Sequence, residues 1–192
     1  MASLLVVTGP PGAGKSTVAG ILADRAEASV LVAGDEFFGF LVRGAIQPWL
    51  PASKEQNEVV TQAAAAAAGR YAAGGFETVY DGVVGPWFLP TFAAATGLDH
   101  LDYVILMPPV EQCVERVATR QGHGFSDEAA TRKMHDEFAR ADVGDRHVVA
   151  DPPARPEALA DYVLAAREHG SLRLTLTARL AGPDRRGAGS LL

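Results

Sequence analysis

The chain is 192 residues long, 48% hydrophobic and 21% charged, with 17 lysines and arginines against 23 aspartates and glutamates for a formal net charge of −6. That length suffices for one domain with its own core, and the acidic balance argues against duplex nucleic acid as a partner, since proteins that bind it usually present a basic face. A single cysteine, Cys113, excludes an intrachain disulfide and points to a reducing, cytoplasmic setting. No charged-then-apolar leader opens the sequence, and the longest nearly uncharged stretch, Val59 to Ala68, is too short and too rich in alanine to span a bilayer.

Ser3–Thr8 is a short β-branched run stopped by Gly9 and reads as a fully buried strand. Lys15–Ala28 carries Val18, Ile21, Leu22 and Arg25 at helical spacing. Val30–Ala33 predicts a second buried strand ending at Gly34-Asp35, followed by the irregular aromatic stretch EFFGFLVRGAIQPWLPA over 36–52. Ser53 and Gln56 form a capping-box pattern opening a helix through about Ala73, whose alanine-rich middle needs only helix propensity to explain it. Gly74-Gly75 ends that helix, and Thr78–Tyr80 predicts a third strand ending at Asp81-Gly82. A short helix is expected over Phe88–Ala95, a fourth strand over Tyr103–Met107, and a helix over Val110–Arg120 with Val110, Cys113, Val114 and Val117 on its buried face. The polar stretch QGHGFSDE leads at Ser126 into another helix through about Ala141. His147–Ala150 predicts a fifth strand, Pro156–Glu168 a last helix, and Leu172–Leu176 a sixth, edge strand before a tail of disordered composition.

Buried strands alternating with helices define an α/β architecture: a mostly parallel sheet covered by helices on both faces, three layers in all. Residues 1–170 form the domain, with a lid at about 121–135, and 171–192 the edge strand and tail. Gly9, Asp35 and Asp81 fall just after strands, and in open α/β sheets the ligand crevice lies outside the carboxyl ends of the strands. One topology therefore gathers these residues.

Gly9-Pro10-Pro11-Gly12-Ala13-Gly14-Lys15-Ser16 matches the spacing G-x-x-x-x-G-K-[ST], between a strand and a helix. Such a loop binds a polyphosphate: glycines let successive backbone N–H groups turn inward as a nest, and the helix start adds its positive dipole end. Gly9, Gly12, Ala13, Gly14, Lys15, Ser16 and Thr17 are the expected nucleotide contacts, with Lys15 reaching the β/γ-phosphates, the Ser16 hydroxyl on Mg²⁺ and Thr17 near the α-phosphate. Asp35, or else its neighbour Glu36, is expected to take a proton from a substrate hydroxyl; otherwise Asp35 is a solvated loop carboxylate or a helix N-cap. Asp81, closing an apolar run, reads as a second magnesium-shell carboxylate or as a simple Asp-Gly turn.

Arg116 and Arg120 lie four residues apart on the helix after the fourth strand, where they would neutralise charge on a migrating phosphoryl group, or else sit on the surface paired with Glu115 or Asp136. Arg132 and Lys133, with His123 less favoured, are expected to close onto phosphates as the lid shuts out water. Phe38, Arg43 and Trp87 are candidates to line an acceptor pocket, Arg43 as its polar anchor. Cys113 reads as packing. The loop Asp151–Arg155 stands where an adenine contact is expected by position alone.

The stretches GPPGAGKST, GDEFF, VYDGVVG and ERVATRQGHGFSD together resemble P-loop small-molecule kinases, in the branch that holds chloramphenicol phosphotransferase, gluconate kinase-like proteins and AAA-type ATP-binding proteins. The resemblance covers roughly residues 3–168. It implies the nucleoside-kinase-like fold with strand order 2-3-1-4-5, ATP with Mg²⁺ as donor, and Asp35 as the base, matching the aspartate after the second strand in chloramphenicol phosphotransferase. Asp81-Gly82-Val83-Val84-Gly85 lacks the arginine that adenylate kinases carry after their third strand, and Glu36-Phe37-Phe38 stands where gluconate kinase-like proteins have a histidine. These departures point away from a nucleoside monophosphate and a sugar acid, toward a moderately apolar, hydroxylated, antibiotic-like acceptor or metabolite. The expected partners are that small molecule and at most a second copy in a homodimer, with neither nucleic acid nor membrane. A nucleotide-gated regulatory module that phosphorylates no small molecule is the alternative.

Overall fold

The computed structural model describes residues 3–119 and 127–176. β1 (Ser3–Thr8), β2 (Ser29–Ala33), β3 (Glu77–Asp81), β4 (His100–Leu106) and β5 (Val148–Val149) form a sheet in the order β2-β3-β1-β4-β5, and every pairing along it is parallel. A sixth strand, β6 (Arg173–Thr175), runs antiparallel to β4. β1 occupies one edge of β4, while β5 and β6 divide the other: β5 pairs with Ile105 and Leu106, β6 with His100 to Asp102.

The alternation of side chains along the central strands splits the core into two layers. Leu4, Val6, Tyr80, Tyr103 and Ile105 face α2 (Lys54–Ala73) and α3 (Leu89–Thr96), whereas Leu5, Val7, Val79, Val104 and Leu106 face α1 (Lys15–Asp24) and α6 (Pro156–Glu168). β1 is buried on both faces, which accounts for its uninterrupted apolar run. The expected strand at 30–33 is present, but as the sheet's edge: only Val32 is buried along β2, and Leu31 is 44% exposed.

The alanines of α2 acquire a packing role beyond helix propensity. Ala64, Ala65, Ala68 and Ala72 make a smooth stripe against the sheet, and a Cβ on Gly69 would lie 2.0 Å from the Thr96 carbonyl oxygen of α3. Small residues here let α3 approach α2 at backbone distance, as the ridge-and-groove packing of helices requires. The helix start differs from expectation: Ser53 Oγ donates to the carbonyls of Pro48 (2.9 Å) and Leu50 (2.7 Å), while Gln56 brackets Ile46, accepting from its N–H and donating to its carbonyl, both at 2.7 Å. Neither side chain caps α2. Both instead fasten the preceding loop, Ser53 being already helical in φ and ψ.

α1 stops at Asp24, short of the expected Ala28, and β4 begins three residues earlier than its β-branched centre suggests. α4 (Val110–Thr119) packs beside α5 (Glu128–Ala139), whose N-cap is Asp127, its side chain accepting from the Ala130 N–H at 2.9 Å. Residues 128–135, expected within the lid, therefore belong to α5, and 121–126 lie outside the described residues, as does the tail beyond 176. No helix among the described residues is long and apolar enough to cross a membrane.

At the amino end of the sheet Arg167 ties three strands together. Its guanidinium donates to Asp102 of β4 (2.8 Å), to Glu77 of β3 and to Ser3 Oγ of β1, and Ser3 in turn donates to Glu77 at 3.0 Å. His147, expected to start β5, sits instead in the 3₁₀ turn before it and is 1% exposed. Its Nδ1 donates to the Tyr103 carbonyl at 2.9 Å and its Nε2 accepts from Arg146 Nε at 3.1 Å, an arrangement only the neutral ring satisfies.

Burial holds the His147 pKa below the ordinary histidine value. The unfolded chain therefore binds a proton that the native state refuses. The stability His147 contributes is present above about pH 6.5 and is lost as pH falls from there through the folded value. Urea unfolding of wild type and His147→Gln between pH 7.5 and 5 is expected to show a steeper decline in the wild type; parallel profiles would contradict the neutral buried ring.

Candidate functional site

The residues singled out from sequence converge on the carboxyl end of the sheet. β1 runs straight into Gly9, with φ +142, and the chain then curls through Gly12 at φ +79 and Gly14 at φ +89, the left-handed N-cap of α1. A Cβ on Gly9 would stand 2.3 Å from the Leu106 carbonyl oxygen, and one on Gly12 2.3 Å from that of Cys113. The loop is thus seated on the end of β4 and the first turns of α4. No side chain caps α1 at Gly14, so its leading N–H groups are left to an anion from outside the helix.

Lys15 is 9% exposed, and its Nζ donates to the Pro10 carbonyl at 3.0 Å, curling the ammonium back over the loop. Ser16 and Thr17 are exposed at the helix start, and Ala13 is buried beneath it. This cup of backbone amides, a lysine and an exposed hydroxyl fits a magnesium-bound triphosphate: the start of α1 has no side-chain cap, and Lys15 and Ser16 are the donor set such a ligand needs.

Arg116 reaches the same cup from α4. Its Nη1 donates to the Gly12 carbonyl at 3.2 Å, and Nη2 lies 3.5 Å from Gln112 Oε1; neither Glu115 nor Asp136 takes it. Asp136 pairs with Arg140. Arg120 and His123 lie outside the described residues. Arg132 does not turn toward the loop: it is held by Glu111 of α4 at 3.0 Å and by Glu128 at 2.9 Å, and Lys133 stands 3.9 Å from Glu137. Helical spacing carried Arg132 to the α4 face and gave it a carboxylate there. Cys113 is fully buried under the loop, and burial raises its thiol pKa against the opposing pull of Arg116 and Lys15. Packing is its role, as expected.

Asp35 lies in the 3₁₀ turn Gly34–Phe40 that continues β2, and Asp81 is the last residue of β3. The register sets Asp81 beside Ala33 on one side and Val7 on the other, so Asp81 ends the strand next to the phosphate loop, and Asp35, exposed, follows the next strand outward on the same side. The loop after Asp81 is fixed by two residues that sequence reading missed. Thr8 Oγ1 accepts from the Val84 N–H at 2.8 Å, and Tyr103 Oη donates to the Val84 carbonyl at 2.7 Å, each buried. Both partners are far away in sequence, so no local pattern announces them.

Phe38 is half-buried in the turn after β2, and Arg43 is exposed in the following loop. Trp87 is 42% exposed and meets Phe138 of α5 edge-on at 5.1 Å, so it joins the loop after β3 to the second helix of the α4–α5 pair. Asp151–Arg155 forms the connection from β5 to α6.

This fold and loop define a P-loop nucleotide-binding protein. A model of the AAA domain family matches residues 4–143, more than half of the chain, and the chain belongs to that family. No curated protein sequence matches it. Among solved structures, a sugar kinase from Janibacter sp. HTCC2649 superposes with a TM-score of 0.67 at 20% identity, over 88% of this chain and 95% of that one. The tunicamycin resistance protein of Deinococcus radiodurans gives 0.63 at 16%, over 86% and 95%. A shikimate kinase from Acinetobacter baumannii, solved with shikimate, gives 0.59 at 20%, over 90% and 96%. At these identities the likeness is one of fold, and the strand order 2-3-1-4-5 is the one expected for it.

The contact between Gly12 and Cys113 yields a direct test. Gly12→Ala combines a positive φ with a Cβ driven into a carbonyl, and should cost about 2 kcal/mol or more. Chemical denaturation checks this; a loss under about 0.5 kcal/mol, the scale of an ordinary surface change, would mean that α4 does not seat the loop.

Proposed function

We propose that this protein transfers the terminal phosphoryl group of ATP, held with Mg²⁺, to a hydroxyl of a small molecule. The observation that carries the reading is Asp81 at the end of the strand beside the phosphate loop, with Asp35 after the end of the next strand outward. Kinases among the structural neighbours support it: a sugar kinase, a gluconokinase and a shikimate kinase share the fold.

In this reading the backbone amides of Gly12 to Thr17 and the Lys15 ammonium hold the phosphates, and Ser16 and Asp81 hold the metal, which supplies charge neutralisation. Asp35 accepts the proton of the acceptor hydroxyl as the new O–P bond forms and the bond to the β–γ bridging oxygen breaks. Arg116, already hydrogen-bonded to the loop, is near enough to swing its guanidinium onto the transferred group, and Arg120 is the second candidate for that charge. Phe38, Arg43 and Trp87 contact the acceptor. The exposed apolar side chains along the same stretch, Phe40 and Val42 among them, favour an acceptor with an apolar face over a fully polar sugar acid.

A mass-shift screen of hydroxylated metabolites and antibiotics, with ATP and GTP in parallel, identifies the acceptor. Lys15→Ala is expected to abolish transfer. Asp35→Asn should retain ATP binding while lowering turnover by about 10²–10⁴-fold, the usual contribution of a general base. Turnover within a few-fold of wild type would remove Asp35 from the reaction. Slow ATP hydrolysis with no acceptor modified would favour a nucleotide-gated regulatory module instead.

A further inference from the structure

Two buried hydroxyls stand in the apolar interior of the central strands: Thr8 ends β1, and Tyr103 lies in the middle of β4. They meet on one residue, Val84, which is itself fully buried although it belongs to the loop after β3. Thr8 takes its N–H and Tyr103 its carbonyl, from 76 and 19 positions away in the chain. A buried backbone group needs a partner, and a loop residue has no helix or ladder to supply one. Tyr103 is a fixed post for this purpose. Its own N–H donates to the Leu172 carbonyl at 2.9 Å, and its carbonyl accepts from His147 Nδ1 at 2.9 Å.

The loop held in this way leads from Asp81 to Trp87. The Gly82 N–H points at the Val7 carbonyl, 3.4 Å away, and the Gly85 carbonyl accepts from the N–H groups of Phe88 at 2.8 Å and Leu89 at 3.0 Å. A Cβ on Gly85 would lie 2.3 Å from Trp87, whose six-membered ring fills that space. Gly85 has no positive φ, so the indole, not the backbone conformation, excludes a side chain there. Thr8 is also the residue from which the phosphate loop departs. Its backbone continues into Gly9 while its hydroxyl holds Val84.

We propose that Thr8 and Tyr103 are positioning residues for phosphoryl transfer: by fixing Val84 they hold the 82–87 segment, and Trp87 with it, over the end of β1, so that this wall of the acceptor site keeps its place relative to the phosphate loop. Being fully buried, both hydroxyls act through Val84 and not on the reactants. The proposal rests on the transfer reaction and on the acceptor contact assigned to Trp87 above. It also explains why a threonine and a tyrosine occupy positions where valine and phenylalanine would fill the same space.

Tyr103→Phe keeps the ring and leaves the Val84 carbonyl without its donor. Thr8→Val keeps the branched shape and leaves the Val84 N–H without its acceptor, and Thr8→Ser restores the oxygen. With the acceptor found by the screen, Tyr103→Phe and Thr8→Val should each lower kcat/KM for the acceptor about ten-fold or more, since a shift of about 1 Å in a positioning group can cost about 10²-fold. The KM for ATP should hold within about two-fold, and Thr8→Ser should stay within about three-fold of wild type. An unchanged acceptor kcat/KM, an equal loss for ATP, or a Thr8→Ser protein as impaired as Thr8→Val overturns the assignment. A second measurement needs no acceptor. The full chain labelled with fluorotryptophan carries two ¹⁹F signals, from Trp49 and Trp87, told apart by Trp87→Phe. Tyr103→Phe and Thr8→Val should shift or broaden the Trp87 signal and leave that of Trp49 in place. A stationary Trp87 signal, or both signals moving alike as in a general loosening, overturns the proposal whatever the enzyme does. A Trp87 signal that moves alone in a protein that phosphorylates nothing keeps the hold on the segment and refutes the transfer reaction.

Discussion

The phosphate loop keeps its shape because there is no room beneath it. Gly9 and Gly12 bring the backbone within carbonyl-contact distance of Leu106 and Cys113, at the end of β4 and in the first turns of α4. A loop of glycines in isolation would sample many conformations, since glycine loses more backbone freedom on folding than any other residue. Seated against two carbonyls, with Lys15 bonded back to Pro10, it has one. The same seating makes α4 part of the site: Arg116 reaches Gly12 from the helix whose backbone supports Gly12 from below. Movement of α4 and the position of the cup are therefore one degree of freedom, and α5, joined to α4 through Arg132 and Glu111, shares it.

The two ends of the sheet have separate work. At the amino end, Arg167 binds Glu77, Asp102 and Ser3 from three adjacent strands, with its side chain 17% exposed. Removing one member of so enclosed a group leaves charges without partners, which costs more than the set contributes by being there. At the carboxyl end, Asp35, Asp81 and Lys15 stand at strand and helix termini, around the start of α1 that no side chain caps. Parallel strands impose this division, because they deliver all their carboxyl termini to one edge and only there can several loops converge.

What was legible in the sequence was what is local. The loop from Gly9 to Ser16, the six strands and the last helix, Pro156–Glu168, follow from contiguous residues and their period. So does the position of Asp35 and Asp81 at strand ends, since each closes or follows an apolar run. What was not legible was set by partners far along the chain. Ser53 and Gln56 have capping-box spacing, but the loop at 46–50 returns close enough to take both side chains. Arg132 has the position of a lid residue, but Glu111 stands opposite on α4. His147 looks like the first residue of a strand, yet a carbonyl from β4 captures its ring and holds it in a turn. β2 has the composition of an interior strand, and the order of the sheet leaves it at the edge.

The segment before α2 is built differently from the phosphate loop. The nucleotide loop is held by backbone against backbone, whereas the segment from Ile46 to Leu50 is held by side chains of the following helix: Ser53, Gln56 and Asn57 together take the carbonyls of Ile46, Pro48 and Leu50. Backbone seating tolerates no change of residue at its glycines, but side-chain fastening can be preserved while the residues between the fastened points vary. Phe40, Val42, Ile46 and Leu50, all substantially exposed, lie in or beside that stretch. A fold that fixes its phosphate loop through carbonyl contacts and the 46–50 segment through three polar side chains can therefore vary that segment without disturbing the loop.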